Sequence, residues 1–376
     1  MGQASPSLTT PCDWSLRSGE RTRVGFVSSH LMQHTVSRYF AGLITGLDRS
    51  RFDIRVWYTG ATNDDSTRKI AGAADSFVET RTDVLSLGNL IREAQLDVLV
   101  YPEVGMDARH QALAALRLAP IQCVLYGHPV TSGASTVDYF LSGDAMEPTD
   151  AQLQYRERLI RLPGIGTTPA PTSESRGGAW YEERVNKRPL LLCLQNLLKL
   201  SPDFDDALAL IARETGARIG FFSRIAPLTE RFRRRIASTF RKHALDAETH
   251  LEFLPSQSYA DYLAGIAQCP LVLDSPHFSG GSTSLDAISV GTPVAAWEGD
   301  MMRGRQTAAM LRMMDVPQLI ASSQSEYVEL CVRLMSDHTL RDELANAMPA
   351  RQSVIFETRE PLKAFMEFLS TATRIQ

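Results

Sequence analysis

The sequence predicts an α/β protein built from two Rossmann-like halves, and three observations carry that reading. Short apolar, β-branched runs alternate with stretches of helical period, a pattern that needs crossover connections and a mostly parallel sheet. The alternation breaks once, over 164–188, and then restarts. A length of 376 residues also suits two domains of roughly 150 residues each.

In the first half, RVGFVS (Arg23–Ser28) reads as a strand and Val36–Leu47 as a helix. Strands follow at Asp53–Tyr58 and, briefly, at Ser76–Val78. A helix near Leu85–Ala94, a strand at Asp97–Tyr101 and a helix at His110–Leu116 come next, with Ile121–Tyr126 and Tyr139–Ser142 as the last strands. The break carries Pro169, Pro171, Gly177 and Gly178 among Ser, Thr and Glu, the composition of a linker. Beyond it, Pro189–Leu194 is a strand, and Ser201-Pro202 is an N-cap and N1 pair opening the helix Phe204–Glu214. Strands at Arg218–Ser223, Leu251–Leu254, Leu271–Asp274 and Pro293–Trp297 alternate with helices at Leu228–His243, Tyr259–Ala267 and Ser284–Val290. Glu360–Thr373 is a closing helix long enough to return to the first half. The expected boundaries are a tail over 1–20, domains at 21–163 and 189–348, the linker, and a terminal segment at 349–376. Two such halves imply a ligand cleft between them.

The bulk properties exclude several classes. A net charge of −4 gives no general attraction to nucleic acid or to a membrane surface, and the basic run RFRRR (Arg231–Arg235) reads as a solvated helix face. Five scattered cysteines without CxxC spacing make neither a zinc framework nor a disulfide scaffold; Cys123 and Cys193 sit in strand-like runs as buried thiols. No stretch reaches the ~18 apolar residues of a membrane span. The first residues show no signal-peptide pattern, and their MGxxxS start lacks the basic cluster a lipid anchor would need. The expectation is a cytoplasmic protein.

The most informative stretch is LVLDSPHFSGGSTSLDAISVGTPV, from Leu271 to Val294. A strand ends at Asp274, a turn with Gly280 and Gly281 follows, and Ser282-Thr283 opens a helix. Glycine admits a ligand close to the backbone, and the N–H groups at a helix start favour an anion such as phosphate. The two hydroxyls add donors, and Asp286, one turn later, is placed for a ribose hydroxyl. Alone, the turn reads first as a capped helix with no ligand.

Five further pieces change that balance: RVGFVSSHLMQHTVSRYF (Arg23–Phe40), LRLAPIQCVLYGHPVTSGASTVDYFLSG (Leu116–Gly143), YRERLIRLPG (Tyr155–Gly164), LQNLLKLSP (Leu194–Pro202) and MRGRQTAAML (Met302–Leu311). With LDSPHFSGGSTSLD they occur in the order found in the O-GlcNAc transferase and SPINDLY-like family of glycosyltransferases, which this chain resembles from about Arg23 to Met348. The family's fold is the two-domain GT-B type, so the resemblance implies two Rossmann-like domains facing a cleft and a UDP-sugar donor, with no metal and no other cofactor.

The resemblance also implies roles. Lys199 matches the lysine that holds the UDP diphosphate, a fixed cation suited to a leaving group that gains charge. Asn196 matches an amide near the same phosphates. Gly280, Gly281, Ser282 and Thr283 match the diphosphate turn, and Asp286 the ribose acid. Arg305 matches an arginine that is either a phosphate contact or a helix-surface residue. Tyr262 replaces a base-stacking histidine, as in the bacterial N-glucosyltransferase branch, and either covers uracil or packs in the core. His34 matches the active-site histidine, which accepts the acceptor's proton or orients the sugar; His30 is a weaker candidate. On the acceptor side His128 resembles the N-glucosyltransferase branch, whereas Thr131, Ser132 and Gly133 resemble the O-GlcNAc branch. Glu103, in YPEVGMD, is either a general base or the ion partner of Arg109.

The function that follows is inverting transfer of GlcNAc or a related hexose to Ser/Thr hydroxyls of a protein. Transfer to Asn or to a small molecule is the second reading. A silent UDP-sugar-binding module is the third, and a nucleotide-sugar epimerase, which needs no acceptor, the fourth. Family members with tetratricopeptide repeats use them to present protein acceptors; only about twenty residues precede the match here.

Overall fold

The computed structural model describes residues 8–10, 12, 20–172, 180–185 and 188–372. They divide into two compact units, one of residues up to Ala170 together with those from Glu357 onward, the other Pro171–Phe356.

In the first unit, β1 (Thr22–Ser28), α1 (Thr35–Thr45), β2 (Phe52–Tyr58), α2 (Asp65–Ala73), β3 (Ser76–Glu79), α3 (Val84–Glu93), β4 (Val98–Tyr101), α4 (Ala108–Ala114), β5 (Ile121–Leu125), β6 (Tyr139–Gly143) and β7 (Arg158–Leu162) follow in order. The strands form one parallel sheet ordered β3-β2-β1-β4-β5-β6-β7. Its centre is apolar on both faces: every residue of VLVY in β4 and of IQCVL in β5 is buried, as strands covered by helices on both sides require. The edge strand β3 (SFVE) is largely exposed.

The second unit repeats the plan with β8 (Leu190–Cys193), α5 (Pro202–Thr215), β9 (Arg218–Phe222), α6 (Ala226–Lys242), α7 (Ala247–His250), β10 (Leu251–Leu254), α8 (Tyr259–Gln268), β11 (Val272–Leu273), α9 (Ser282–Ser289), β12 (Val294–Trp297), α10 (Gln306–Met313), β13 (Ile320–Ala321), α11 (Gln324–Ser336), α12 (His338–Arg351) and α13 (Ser353–Phe356). Its six parallel strands run β10-β9-β8-β11-β12-β13. In both sheets the strand order reverses beside the first strand, between β1 and β4 and between β8 and β11. Ligands of open α/β sheets bind at such a point, outside the carboxyl ends of the strands.

The expected boundaries shift. Much of the predicted linker is anchored: the Tyr126 hydroxyl donates to Ile165 O at 2.5 Å, Thr167 to Tyr39 O, and Thr168 Oγ1 to Thr358 O at 2.6 Å, all within the first unit. Trp180 Nε1 donates to Asp261 O at 2.6 Å in the second. Gly177, Gly178 and most of the expected tail lie outside the described residues. Residues 349–356 belong to the second unit, because α12 runs through Pro349 to Arg351. The closing helix, α14 (Glu360–Ala372), belongs to the first, where Phe368 meets Tyr139 edge-on at 5.2 Å and Arg51 donates to Ser370 Oγ at 2.9 Å.

Apolar periodicity did not reveal α2, β7, α10, β13, α11 or α12. Some of these bury few apolar residues or are very short: α2 buries only Thr67 and Ile70, and α12 only Leu344 and Met348. Ser201 does stand at the N-cap of α5 with Pro202 behind it, although its hydroxyl makes no capping bond. Among the described residues no helix is long and apolar enough to cross a membrane. All five cysteines are unpaired, and four of them are buried.

Phe365 of α14 is fully buried. Phe365→Ala should therefore cost the first unit about 3–5 kcal/mol, read as a lowered urea midpoint; a terminal helix that merely rests on the surface would lose far less.

Candidate functional site

In the second unit the loops that leave β8 and β11 meet at the switch point. Gln195 follows β8, and its amide Nε2 bridges two residues of the other loop, donating to Asp274 Oδ1 at 3.0 Å and to Thr283 Oγ1 at 2.9 Å. The Gly280 N–H donates to the same Asp274 oxygen at 2.7 Å. Asp274, directly after β11, is 1% exposed. Burial raises its pKa to about 6, against the hydrogen bonds it accepts and the nearby charge of Lys199.

Lys199 ends the short 3-10 turn Leu197–Lys199, which Asn196 caps by accepting the Leu198 N–H at 3.0 Å. Its ammonium lies over the Phe278 ring, 4.2 Å from the centroid. Burial lowers the Lys199 pKa and the charge of Asp274 opposes that shift. A cation held away from water acts on an incoming anion with little screening.

Gly280 admits no side chain. A β-carbon there would collide with Ser284 Oγ and lie 2.6 Å from Gln195 Nε2 and 2.8 Å from Thr283 Oγ1. Gly281 is the N-cap of α9 and supplies no capping side chain, so the helix start keeps its anion-favouring character. Asp286, one turn in, accepts from the Tyr259 hydroxyl at 2.7 Å. Tyr259 stacks with Tyr262 at 6.1 Å, and Tyr262 meets Phe222 edge-on at 5.4 Å. Tyr262 thus packs against the apolar core while remaining partly exposed. Arg305 stands at the N-cap position of α10, and it pairs with Glu298 Oε1 at 2.9 Å.

The first unit builds its cluster at the equivalent place, from the loops after β1 and β4. Glu103 is fully buried, and its Oε1 accepts from Ser28 Oγ at 2.8 Å, the Ser29 N–H at 3.0 Å and His30 Nδ1 at 3.1 Å. This corrects the expected partner: Glu103 pairs with His30, not Arg109, because its strand-end position turns the carboxylate inward beneath the β1 loop. Its Oε2 is buried with no hydrogen-bond partner among the described residues. Asp107 accepts from Ser29 Oγ at 3.0 Å and from His110 Nδ1 at 2.7 Å. Burial alone would raise its pKa, but the His110 ring and N–H hold it well below the usual carboxylate range.

His34 is the N-cap of α1, with its ring 4.4 Å from that of His30. His128 is half-buried and packs over Gly105, whose φ of +97° and lack of a side chain leave room for the ring; a β-carbon would lie 2.7 Å from His128 Cδ2. The Thr131–Gly133 turn is tied down, not open. Thr131 Oγ1 donates to Glu157 Oε2 at 2.6 Å, the Ser132 N–H and hydroxyl both donate to Glu157 Oε1, and the Gly133 N–H donates to Thr131 Oγ1 at 3.2 Å. The carboxylate that holds this turn is almost completely buried.

Within their units, then, Asn196, Lys199, Gly280, Gly281, Ser282, Thr283 and Asp286 converge around β11 and α9, and His30, His34 and Glu103 converge around β1 and β4. Sequence reasoning missed Asp274, Gln195 and Phe278 as parts of the site. The available signal was an acid closing an otherwise apolar strand.

Two parallel sheets of Rossmann order, the second with a glycine turn at the start of α9 and a lysine near it, match the GT-B architecture of glycosyltransferases. A family model, glycosyl transferase family 41, matches residues 6–165 and 261–364, and the chain belongs to that family. The chain is 23% identical over 340 residues to "Probable UDP-N-acetylglucosamine--peptide N-acetylglucosaminyltransferase SPINDLY" of Arabidopsis thaliana, covering 88% of this chain and 37% of the relative. It is 24% identical over 252 residues to "UDP-glucose:protein N-beta-glucosyltransferase" of Actinobacillus pleuropneumoniae serotype 7, covering 66% and 39%. It thus spans a little over a third of these curated relatives. A solved structure of an O-GlcNAc transferase variant from Thermobaculum terrenum superposes with a TM-score of 0.83 at 24% identity, covering 98% of this chain and 70% of that one.

The folded carboxyl of Asp274, near 6, binds its proton more tightly than an unfolded carboxyl at 3.8. Between these values the folded state holds more protons, so stability falls as pH rises through the window, by roughly 3 kcal/mol. Asp274→Asn keeps an accepting oxygen for Gly280 and Gln195, and it should flatten that slope in urea titrations run at pH 4 to 6.5.

Proposed function

We propose that the chain is a UDP-sugar-dependent glycosyltransferase that acts on protein acceptors. The carrying observation is Lys199, withdrawn from water over the Phe278 ring and near the buried Asp274, beside the glycine start of α9. A diphosphate is the ligand that this combination of fixed cation and helix N-terminus suits. Asp286 serves the ribose, and Tyr262, on the face of α8 next to Tyr259, covers the base. An acceptor hydroxyl oxygen forms a bond to the anomeric carbon from the side opposite the phosphate. The bond from that carbon to the β-phosphate oxygen breaks, its electron pair leaves with UDP, and the acceptor's proton passes to a histidine. The outcome is inversion. Lys199 and the helix start carry the charge that other transferases give to a metal. GlcNAc and glucose both fit this reading, as the SPINDLY and N-glucosyltransferase likenesses suggest.

Transfer to an Asn side chain is the second reading, favoured by Tyr262 and His128 and by the likeness to the UDP-glucose:protein enzyme. The four buried, unpaired cysteines suit a reducing compartment, in line with a cytoplasmic protein.

Mass spectrometry of proteins incubated with the chain and a panel of UDP-sugars decides the acceptor: shifts on Ser/Thr support the first reading and shifts on Asn the second. Lys199→Ala should lower kcat by roughly 10²–10³-fold and weaken UDP in calorimetry. Unchanged turnover and binding would remove the diphosphate role.

A further inference from the structure

His30 and His34 stand side by side on the loop between β1 and α1, with ring planes 35° apart. Their hydrogen bonds set opposite tautomers. The Nδ1 of His34 accepts the Val36 N–H at 3.2 Å, so while the cap holds, Nδ1 carries no proton and the neutral ring keeps its proton on Nε2. That ring offers a donor outward. Its basic nitrogen is occupied by the backbone.

His30 is the reverse. Its Nδ1 lies 3.1 Å from Glu103 Oε1 and 2.9 Å from Ser29 Oγ. The Ser29 hydroxyl already donates to Asp107 Oδ2 at 3.0 Å and is therefore an acceptor toward the ring. Both neighbours require Nδ1–H, which leaves the lone pair on Nε2. No described residue bonds that nitrogen, and the side chain is 20% exposed. A buried carboxylate behind one nitrogen and an accessible lone pair on the other is the arrangement of a working general base.

We infer that His30, and not His34, takes the acceptor's proton, with Glu103 acting through it as a positioning residue and His34 serving as a neutral donor. The inference rests on the transferase reading above. As the acceptor oxygen bonds the anomeric carbon and UDP departs with the electron pair, the acceptor proton moves to His30 Nε2, and Glu103 holds the resulting imidazolium. His34 gives its Nε2–H to a sugar or acceptor oxygen and keeps it. The hydrogen bond to Glu103 raises the His30 pKa, burial works against it, and the charges of Glu103 and Asp107 add to the rise. Burial lowers that of His34, the charge of His30 lowers it further, and the charge of Glu103 opposes both. His110 lies behind, on Asp107 and 3.9 Å from Glu103.

Two measurements test this on the full chain. With an acceptor in hand, His30→Asn should lower kcat by roughly 10²–10⁴-fold and erase the acidic limb of the pH–rate profile. His34→Asn, which keeps a capping oxygen, should retain the limb. Glu103→Gln should move it to lower pH, since it removes the charge that raises His30, while UDP affinity stays at the parent value. The second measurement needs no acceptor: nitrogen-15 spectra of the imidazoles should show Nδ1–H in His30 and Nε2–H in His34, with the His30 titration falling in Glu103→Gln. An acidic limb lost in His34→Asn but kept in His30→Asn, or spectra that put the proton of His34 on Nδ1, would overturn the assignment. A parent that turns over no donor sinks the transferase reading instead, and the spectra still decide the tautomers.

Discussion

Asp274 is the constraint on which the donor-side turn depends. One oxygen of a carboxylate removed from water accepts both the Gly280 N–H and the Gln195 amide, and Gln195 passes the connection to Thr283 on α9. Donors to a buried carboxylate have no water to fall back on, so the loop has one low-energy arrangement. The lysine, the glycine pair and the helix start are held in register by that arrangement. The cost is a carboxyl pushed up toward 6 and a lysine pushed down.

The first unit solves the same topological problem with the same device. In each sheet the strand across the switch point ends in a buried acid, Glu103 just after β4 and Asp274 just after β11, and each acid accepts from the loop that follows the first strand. The difference lies in what the tethered loop presents. In the first unit it presents two imidazoles, and in the second an ammonium. Parallel sheets of this order leave their central strand ends open to both loops, so one backbone plan positions an imidazole pair in one half and an ammonium in the other.

Other polar residues of these loops have local partners. Thr131 and Ser132 hold Glu157, and Arg305 holds Glu298. Their hydroxyls and guanidinium shape the loops on which neighbouring backbone and rings are displayed. Asp286 occupies a middle position, fastened to Tyr259 and through that ring linked to Tyr262.

Much of this was legible in the sequence. The alternation of apolar runs and helical periods placed β1, β4, β5, β8 and β9 and helices such as α1, α3 and α5, because buried parallel strands must be apolar on both faces. The SGGST turn before an amphipathic run announced α9, because only glycine allows the backbone approach that Gly280 makes. The elements that escaped, such as α2 and α12, bury too few side chains to leave a period. The partners of Glu103, the bridging role of Gln195, the ring beneath Lys199 and the tautomers of His30 and His34 were decided only by tertiary structure. Each joins residues from loops separated by dozens of positions, and hydrogen-bond direction and burial exist only once those loops are brought to one end of a sheet.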